Sequence, residues 1–421
     1  MRVEILCTGD EILTGKTINT NYGYIAQRLV EAGLEPCWGS TVGDDREALL
    51  AAFRQAAARA PAVIVNGGLG PTVDDLSQEI AARAAGVDLV LHEPWLQRME
   101  EFYRRRNRVM PPNNRKQALL PEGAEFLDNP IGTACGFAVT IEGARFFFTP
   151  GVPREMRRMI DEQVIPRLLK QGGVTGVTRV KRFHSFGIGE SRADQMLDGV
   201  EALAADGGVK LGFQAHYPQL ETKLAVRGSD AADAASRLAP VEAEVRRRLG
   251  NFIVAEDELT LEGVVLAALR ARNASLAVAE TFTAGGIAAR LAPAQGAEAL
   301  FRRGIVARDL DQLRAGAGLA AATDGPSPAA TEALAAALRQ TSGASHALAV
   351  LVALDEGADR LELGGTILVG IADGGPPVVR QARLFGGRDW IRLGATELAL
   401  DCLRRHLLGL PVDEQIDFER R

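Results

Sequence analysis

The segment Asn66-Gly67-Gly68-Leu69-Gly70-Pro71-Thr72-Val73-Asp74-Asp75 sets three glycines, a threonine and two carboxylates between a buried apolar run and a helical pattern. Glycines let main-chain amides close around an anion, and a following helix offers its positive N-terminal end, so the segment points to phosphate. Thr72 and Asp75 also read as a T-x-x-D capping box, the start of many purely structural helices. The charges favour a ligand: Asp74 and Asp75 would repel phosphate unless a divalent cation lay between them, and oxygen-only donors suit Mg²⁺ or Mn²⁺. A second cluster, Gly9-Asp10-Glu11, leaves the carboxyl end of the first apolar run, where α/β sheets carry their sites. Asp44 and Asp45 follow the second run in the same way, although Gly43-Asp44-Asp45 is equally an ordinary turn and helix start. Gly15-Lys16-Thr17 is not a P-loop, because Gly9 stands one residue too far before Gly15 for G-x-x-x-x-G-K-[ST].

The elements that must position these groups follow from the hydrophobic period. Short β-branched runs at 3–8, 34–42 and 62–66 alternate with helical spacing at 21–32 and 46–59, a βαβαβ pattern that predicts a parallel sheet covered by helices. A polar stretch at 104–114 interrupts it, a hairpin is expected at 138–149, and a helix at 154–170 closes the unit. Gly172, Gly173 and Gly176 read as a linker. Strands at 178–186, 210–216 and 220–227 with helices at 191–203 and 231–249 then form a small α+β module. Beyond 256–258 the chain turns alanine-rich, with helices expected at 259–272 and 329–342, strands at 276–280, 347–354 and 366–372, and a last helix ending near Leu408. The expected fold is multidomain α/β, with domains at 1–171, 172–255 and 256–421.

With 421 residues, 47% apolar and 24% charged, the chain can bury more than one core. A net charge of -6 gives no general attraction to nucleic acid, and aromatics at 5% leave few stacking platforms. Cys7, Cys37, Cys135 and Cys402 are scattered without metal-ligand spacing, as expected of small buried residues in a reducing compartment. No apolar run reaches the roughly 20 residues of a membrane span, so a cytoplasmic location is expected.

GDEILTG at 9–15, Asn19-Thr20-Asn21, VGDD at 42–45 and NGGLGPTVDD at 66–75 together resemble the molybdopterin-binding-type domain of the competence/damage-inducible CinA family. NRKQ at 114–117, NPIGT at 129–133, TPGVPREM at 149–156 and HSFGIGES at 184–191 extend the resemblance into the middle module. The resemblance implies a first domain with the parallel α/β fold of molybdenum-cofactor biosynthesis proteins that hydrolyses ADP-ribose to AMP and ribose 5-phosphate with a divalent ion (Mg²⁺, Mn²⁺ or Co²⁺), a KH-like middle module and a homodimer. On this reading Asp10, Glu11 and Asp75 carry the catalysis, and Asp10, Asp74 and Asp75 hold the metal. Gly68, Gly70, Thr72, Asn21 and Lys116 then bind substrate. Arg104, Arg105 and Arg106 offer further positive charge or a solvated face. Molybdopterin or nucleotide binding without turnover is the rival reading. A nucleic-acid role has little support, since the one GxxG, Gly173 to Gly176, encloses no basic residue and precedes the module's first strand.

The last third resembles the CinA C-terminal domain, whose active members deamidate nicotinamide mononucleotide with the serine of an AESCTGG motif. Here the stretch reads Ala279-Glu280-Thr281-Phe282-Thr283-Ala284-Gly285-Gly286. Thr281 takes the nucleophile position, while Arg308 and Leu313 stand where the family has a tyrosine and a lysine. Arginine stays protonated and leucine does not titrate, so neither serves as a base. The family's TGIAGP loop is replaced by Leu351-Val352-Ala353-Leu354-Asp355-Glu356. A degenerate deamidase site is therefore expected; a bifunctional enzyme that keeps the amidase is the alternative.

Overall fold

The structure is a computed structural model that describes residues 1–173, 176–204, 208–322 and 324–419. Two compact units emerge, Met1–Arg179 with Arg227–Ala234, and Val180–Val226 with Ala235–Arg421. Val174 and Thr175, inside the Gly173 to Gly176 motif, lie outside the described residues.

In the first unit, β1 (Arg2–Thr8) is buried along all but its first residue, as a strand covered on both faces must be. A short helix α1 (Asp10–Leu13) follows, then α2 (Thr20–Glu31), β2 (Glu35–Val42), α3 (Arg46–Arg59) and β3 (Ala62–Asn66). Asn19 caps α2 by accepting from the Tyr22 amide, and Asp45 caps α3 by accepting from the Ala48 amide. The Thr72–Asp75 pair caps no helix: α4 (Ser77–Ala85) starts two residues beyond Asp75 and has no side-chain cap. Then come β4 (Leu89–Leu91), α5 (Glu93–Arg104), a 3₁₀ turn (Pro112–Ala118), β5 (Leu119–Pro121) and β6 (Glu125–Leu127). The hairpin β7 (Gly136–Ile141) and β8 (Ala144–Thr149) leads into α6 (Pro153–Met159) and α7 (Ile165–Gln171), joined by a π turn where one helix is expected.

The six-stranded sheet has the order β2-β1-β3-β8-β7-β6, parallel from β2 to β8 and antiparallel beyond. One face packs Phe53, Phe137, Phe146 and Phe148 with Leu49, Ile80 and Trp95; the other packs Ile25 and Leu29 with Met156, Met159 and Leu168. Phe137 stacks on Phe148 at 4.4 Å between centroids, and Phe53 meets Phe148 edge-on at 5.6 Å.

The second unit opens with β9 (Val177–Phe186), which begins in the first, α8 (Glu190–Met196), β10 (Val209–His216), β11 (Gln219–Gly228), α9 (Ala231–Leu249) and β12 (Ile253–Glu256). Their sheet order is β10-β11-β9-β12. The helix expected at 191–203 stops at Met196, and Gly199 at φ 74° separates it from a 3₁₀ turn. After it come α10 (Leu261–Ala271), β13 (Leu276–Thr281), α11 (Gly286–Leu291), β14 (Phe301–Ala307), α12 (Leu310–Gly316), α13 (Pro328–Ser342), β15 (His346–Leu354), β16 (Gly364–Ala372), β17 (Val378–Phe385) and α14 (Arg388–Leu408). The five strands run β14-β13-β15-β16-β17, with β14, β13 and β15 parallel and the last two antiparallel. The edge strands β14 and β17 escape the sequence pattern because arginines interrupt their apolar residues, and β14 is exposed along much of its length. Among the described residues no helix is long and apolar enough to cross a membrane.

Phe53 of α3 is fully buried and packs its ring against Phe146 and Phe148 of β8. Phe53→Ala should destabilise the first unit by about 3–5 kcal/mol, read as the loss of its denaturation free energy.

Candidate active site at the sheet switch point

Strands β1 and β2 lie to one side of the point where strand order reverses, and β3 and β8 to the other. In open α/β sheets a crevice opens there, beyond the carboxyl ends of the strands. A cavity of about 410 Å³ lies at this place, lined by residues after all four parallel strands: Thr8 and Glu11, Asp44, the Gly67–Pro71 loop with Asp74 and Asp75, and Pro150 to Val152 with Glu155. A smaller pocket of about 140 Å³ shares Thr8, Glu11 and Gly151 with it and reaches Asn21.

The glycine loop is held by its carbonyls. Ser77 donates its amide to Gly68 O and its hydroxyl to Gly67 O, and buried Gln117 donates to Leu69 O. Gly67 has φ 114°, and a Cβ there would lie 2.6 Å from Thr8 Oγ1 and 2.7 Å from Thr8 O, so only glycine permits the approach of the two strand ends. Among the described residues the amides of Gly68, Leu69 and Gly70 donate to no protein acceptor. The Thr8 hydroxyl, buried on the same wall, likewise has no partner. Unpartnered donors around a cavity are what an anionic ligand would complete.

Of the residues expected to form the site, Glu11, Asp74, Asp75, Gly68 and Gly70 lie on the cavity wall. Asp10 does not: its carboxylate accepts from the Asp44 amide and its own amide donates to Asp44 Oδ2, both at 3.1 Å. The Thr72 amide and hydroxyl donate to Asp75 Oδ2 at 2.8 and 2.5 Å, which makes Thr72 a brace for the carboxylate. Lys116 is spent similarly, donating from Nζ to Thr72 O at 2.7 Å and to Asp75 O. Asn21 donates to Asn66 Oδ1 and Gly151 O, tying the ends of β3 and β8 together from the smaller pocket. Arg104 and Arg105 pair with Glu101, and Arg106 stacks on Phe102.

Thr8, Asp44, Gln117 and Glu155 line the cavity without having been singled out for it. Asp44 had a signal in the VGDD turn; since Asp45 is the helix cap, Asp44 is left to face the cavity. Desolvation, and then the charges of Asp10, Glu11 and Asp74, push its carboxyl above the usual range despite the hydrogen bond from Asp10. Burial also raises Glu155, whose Oε2 accepts from Asn129 Nδ2 at 2.7 Å.

Glu11, Asp44, Asp74 and Asp75 give only oxygen donors, and Lys116 supplies no ammonium to the cavity because main-chain carbonyls hold it. That donor chemistry, with carboxylates close enough to add to the effect of burial on Asp44, fits a hard divalent cation. Asp44, rather than Asp10, lines the cavity.

In the second unit, Thr281 ends β13 beside Ala307 of β14, so Arg308 stands next to the turn at Phe282. The Thr281 hydroxyl is buried and accepts from the Val352 amide at 3.2 Å. Leu313 belongs to the core of α12 and α13 rather than to a site. Buried Glu280 accepts from Thr283 Oγ1 and from the Ile287 and Ala288 amides, closing the start of α11.

Fold and site define a multidomain α/β protein with a glycine-and-carboxylate crevice at a sheet switch point. Residues 4–170 match the family described as "Probable molybdopterin binding domain", 180–255 the "Damage-inducible protein CinA KH domain" and 258–407 the "CinA C-terminal domain". A CinA-like protein of Shewanella sediminis is 39% identical over 97% of this chain and 96% of its own length. One from Geotalea uraniireducens is 35% identical over 99% of this chain and 100% of its own. The solved structure of the protein CinA from Thermoplasma acidophilum is 31% identical, with a TM-score of 0.36, and matches over 41% of this chain and 96% of that one. The chain belongs to the CinA-like protein family.

The raised Asp44 carboxyl fixes a sign. Its contribution to stability is present below the ordinary carboxylate range of about 3.9 and is lost as pH rises through the folded value. Asp44→Asn, which keeps an acceptor for the Asp10 amide, should therefore raise the thermal midpoint at pH 7, by a margin that shrinks as the buffer is taken toward pH 4. Excess Mg²⁺ should raise the wild-type midpoint more than the variant's; equal responses would show that Asp44 does not face a cation.

Proposed function

We propose that the first unit is a divalent-metal-dependent pyrophosphatase that hydrolyses ADP-ribose to AMP and ribose 5-phosphate. The observation that carries this reading is one cavity joining unpartnered loop amides to mutually repelling carboxylates, at a volume within the range of nucleotide-sized sites. The amides of Gly68, Leu69 and Gly70 and the Thr8 hydroxyl bind phosphate oxygens, while Glu11, Asp44, Asp74 and Asp75 hold the metal. When bound, the ion neutralises the phosphate oxygens and makes a water molecule more acidic. Thr72 and Lys116 keep Asp75 and its loop in place.

Glu155 takes the proton of the attacking water. The water oxygen bonds to one phosphorus, the bridging oxygen departs with its electron pair on the other phosphate, and one water is consumed for each bond broken. Glu155 lines the cavity, and burial raises its carboxyl above the ordinary range, which makes its carboxylate a stronger base.

A specific observation supports binding of a pterin or nucleotide without turnover as the second reading. Among the described residues, no three of the cavity carboxylates bring ligand atoms within 4.8 Å of one another. The C-terminal domain we read as having no amidase activity, because the Thr281 hydroxyl is engaged with the Val352 amide and the nearest motif position holds Arg308.

Purified full-length protein should release AMP from ADP-ribose with Mg²⁺, Mn²⁺ or Co²⁺ and stop on chelation. Asp74→Asn or Asp75→Asn should abolish release in a folded protein, and Glu155→Gln should lower kcat by about 10²-fold or more and remove the acid limb of the pH profile. Tight nucleotide binding with no release under any metal would establish the second reading instead. Nicotinamide mononucleotide should yield no ammonia, with Thr281→Ala indistinguishable from wild type; release at enzyme-like rates that Thr281→Ala removes would reverse the assignment for that domain.

A further inference from the structure

The C-terminal domain carries a second constellation far along the chain from the deamidase motif. His346 opens β15, Asp373 follows β16, and the antiparallel pairing of Ala347 with Ala372 sets these two side by side. His406 comes from the last turn of α14, its Nε2 3.0 Å from Asp373 Oδ2. One ligand atom from each residue lies within 4.8 Å of the other two, and no other group of three His, Cys, Asp or Glu among the described residues does this. We propose that His346, Asp373 and His406 bind a divalent transition-metal ion of the Zn²⁺ class.

Hydrogen bonding has already oriented the donors. Ser345 Oγ accepts from the Ser275 amide at 2.8 Å and donates to Ser275 O at 3.0 Å, which uses its only proton. With that proton on Ser275 O, His346 Nδ1, 2.9 Å from the same oxygen, is the N–H donor and the lone pair is left on Nε2. This is how a supporting hydrogen bond fixes the tautomer of a metal-binding histidine. Asp373 Oδ1 is fixed by the Gly375 amide at 2.9 Å while Oδ2 faces His406. The proton between His406 and Asp373 gives way to the ion, moving to Nδ1 of the same ring or, from an imidazolium, to solvent.

Arg339 and Arg272 lie close enough to His346 to act on it by charge. The same arginines oppose any cation by charge. Nitrogen coordination therefore has to hold the ion, which selects Zn²⁺ over Mg²⁺. Once bound, it would fasten the start of β15, the end of β16 and the end of α14 to one another.

Full-length protein stripped with chelator and kept in excess Mg²⁺, which occupies oxygen-only sites, is titrated with Zn²⁺ against a chromophoric competitor. Wild type should bind one equivalent, and His346→Ala and His406→Ala should bind it at least about tenfold more weakly. Co²⁺ should give a visible absorption band in wild type that both variants lose. Should His406→Ala fail to fold, His346→Gln at the half-buried strand start makes the same comparison. No Zn²⁺ binding by wild type under Mg²⁺, or equal affinity in folded variants, would overturn the proposal.

Discussion

The close approach of the ends of β1 and β3 is the constraint on which the first unit's chemistry depends. Gly67 turns back against the hydroxyl and carbonyl of Thr8, and any side chain there would force the strand ends apart. That approach exposes the next three amides to the cavity and buries the Thr8 hydroxyl without a partner. Four parallel strands then deliver their following turns to one crevice, so residues separated by more than a hundred positions share a wall. The rigid sheet, doubly covered by apolar helices, prevents the crevice from collapsing onto its own polar groups.

Charge is arranged around that constraint in two layers. The inner layer faces the cavity and is almost wholly anionic, and Asp44 is raised because burial and three carboxylates disfavour its charge. The outer layer holds the inner one without neutralising it: Thr72 fixes Asp75, Lys116 grips the loop carbonyls, Asp10 exchanges hydrogen bonds with Asp44, and Asn129 holds Glu155. Residues that look like ligand-binding groups in the sequence thus act as supports. A polar group near an anionic site often contributes more by fixing a carboxylate than by touching the ligand.

The C-terminal domain matches its family over residues 258–407 and holds a tight turn after β13. Phe282 and Ala284 still adopt φ of 61° and 57°, a conformation that costs a residue with a Cβ on the order of 1–3 kcal/mol and that active sites commonly impose. Glu280 still closes the start of α11, so the turn is held by hydrogen bonds that do not depend on a nucleophile. Thr281, tied to the Val352 amide, has become part of that scaffold.

How much was legible follows from what each signal depends on. The parallel order of elements, the helix at Arg46–Arg59 and the strand at Ala62–Asn66 were readable because period and burial are local properties of the chain. The glycine loop and the acidic turns were readable because φ freedom and charge belong to the residues themselves. The edge strands β14 and β17 were not, since arginines at the sheet edge break up the apolar pattern. Glu155 in a helix start, Thr8 at a strand end and the trio His346, Asp373 and His406 look unremarkable in sequence, where a histidine and its carboxylate partner stand 27 residues apart or more. Sequence alone determined which groups carry charge, which turns require glycine and which faces are apolar. Only the tertiary structure decided which carboxylate faces the cavity and which supports it, because that choice depends on hydrogen-bond partners and desolvation supplied by distant segments of the chain.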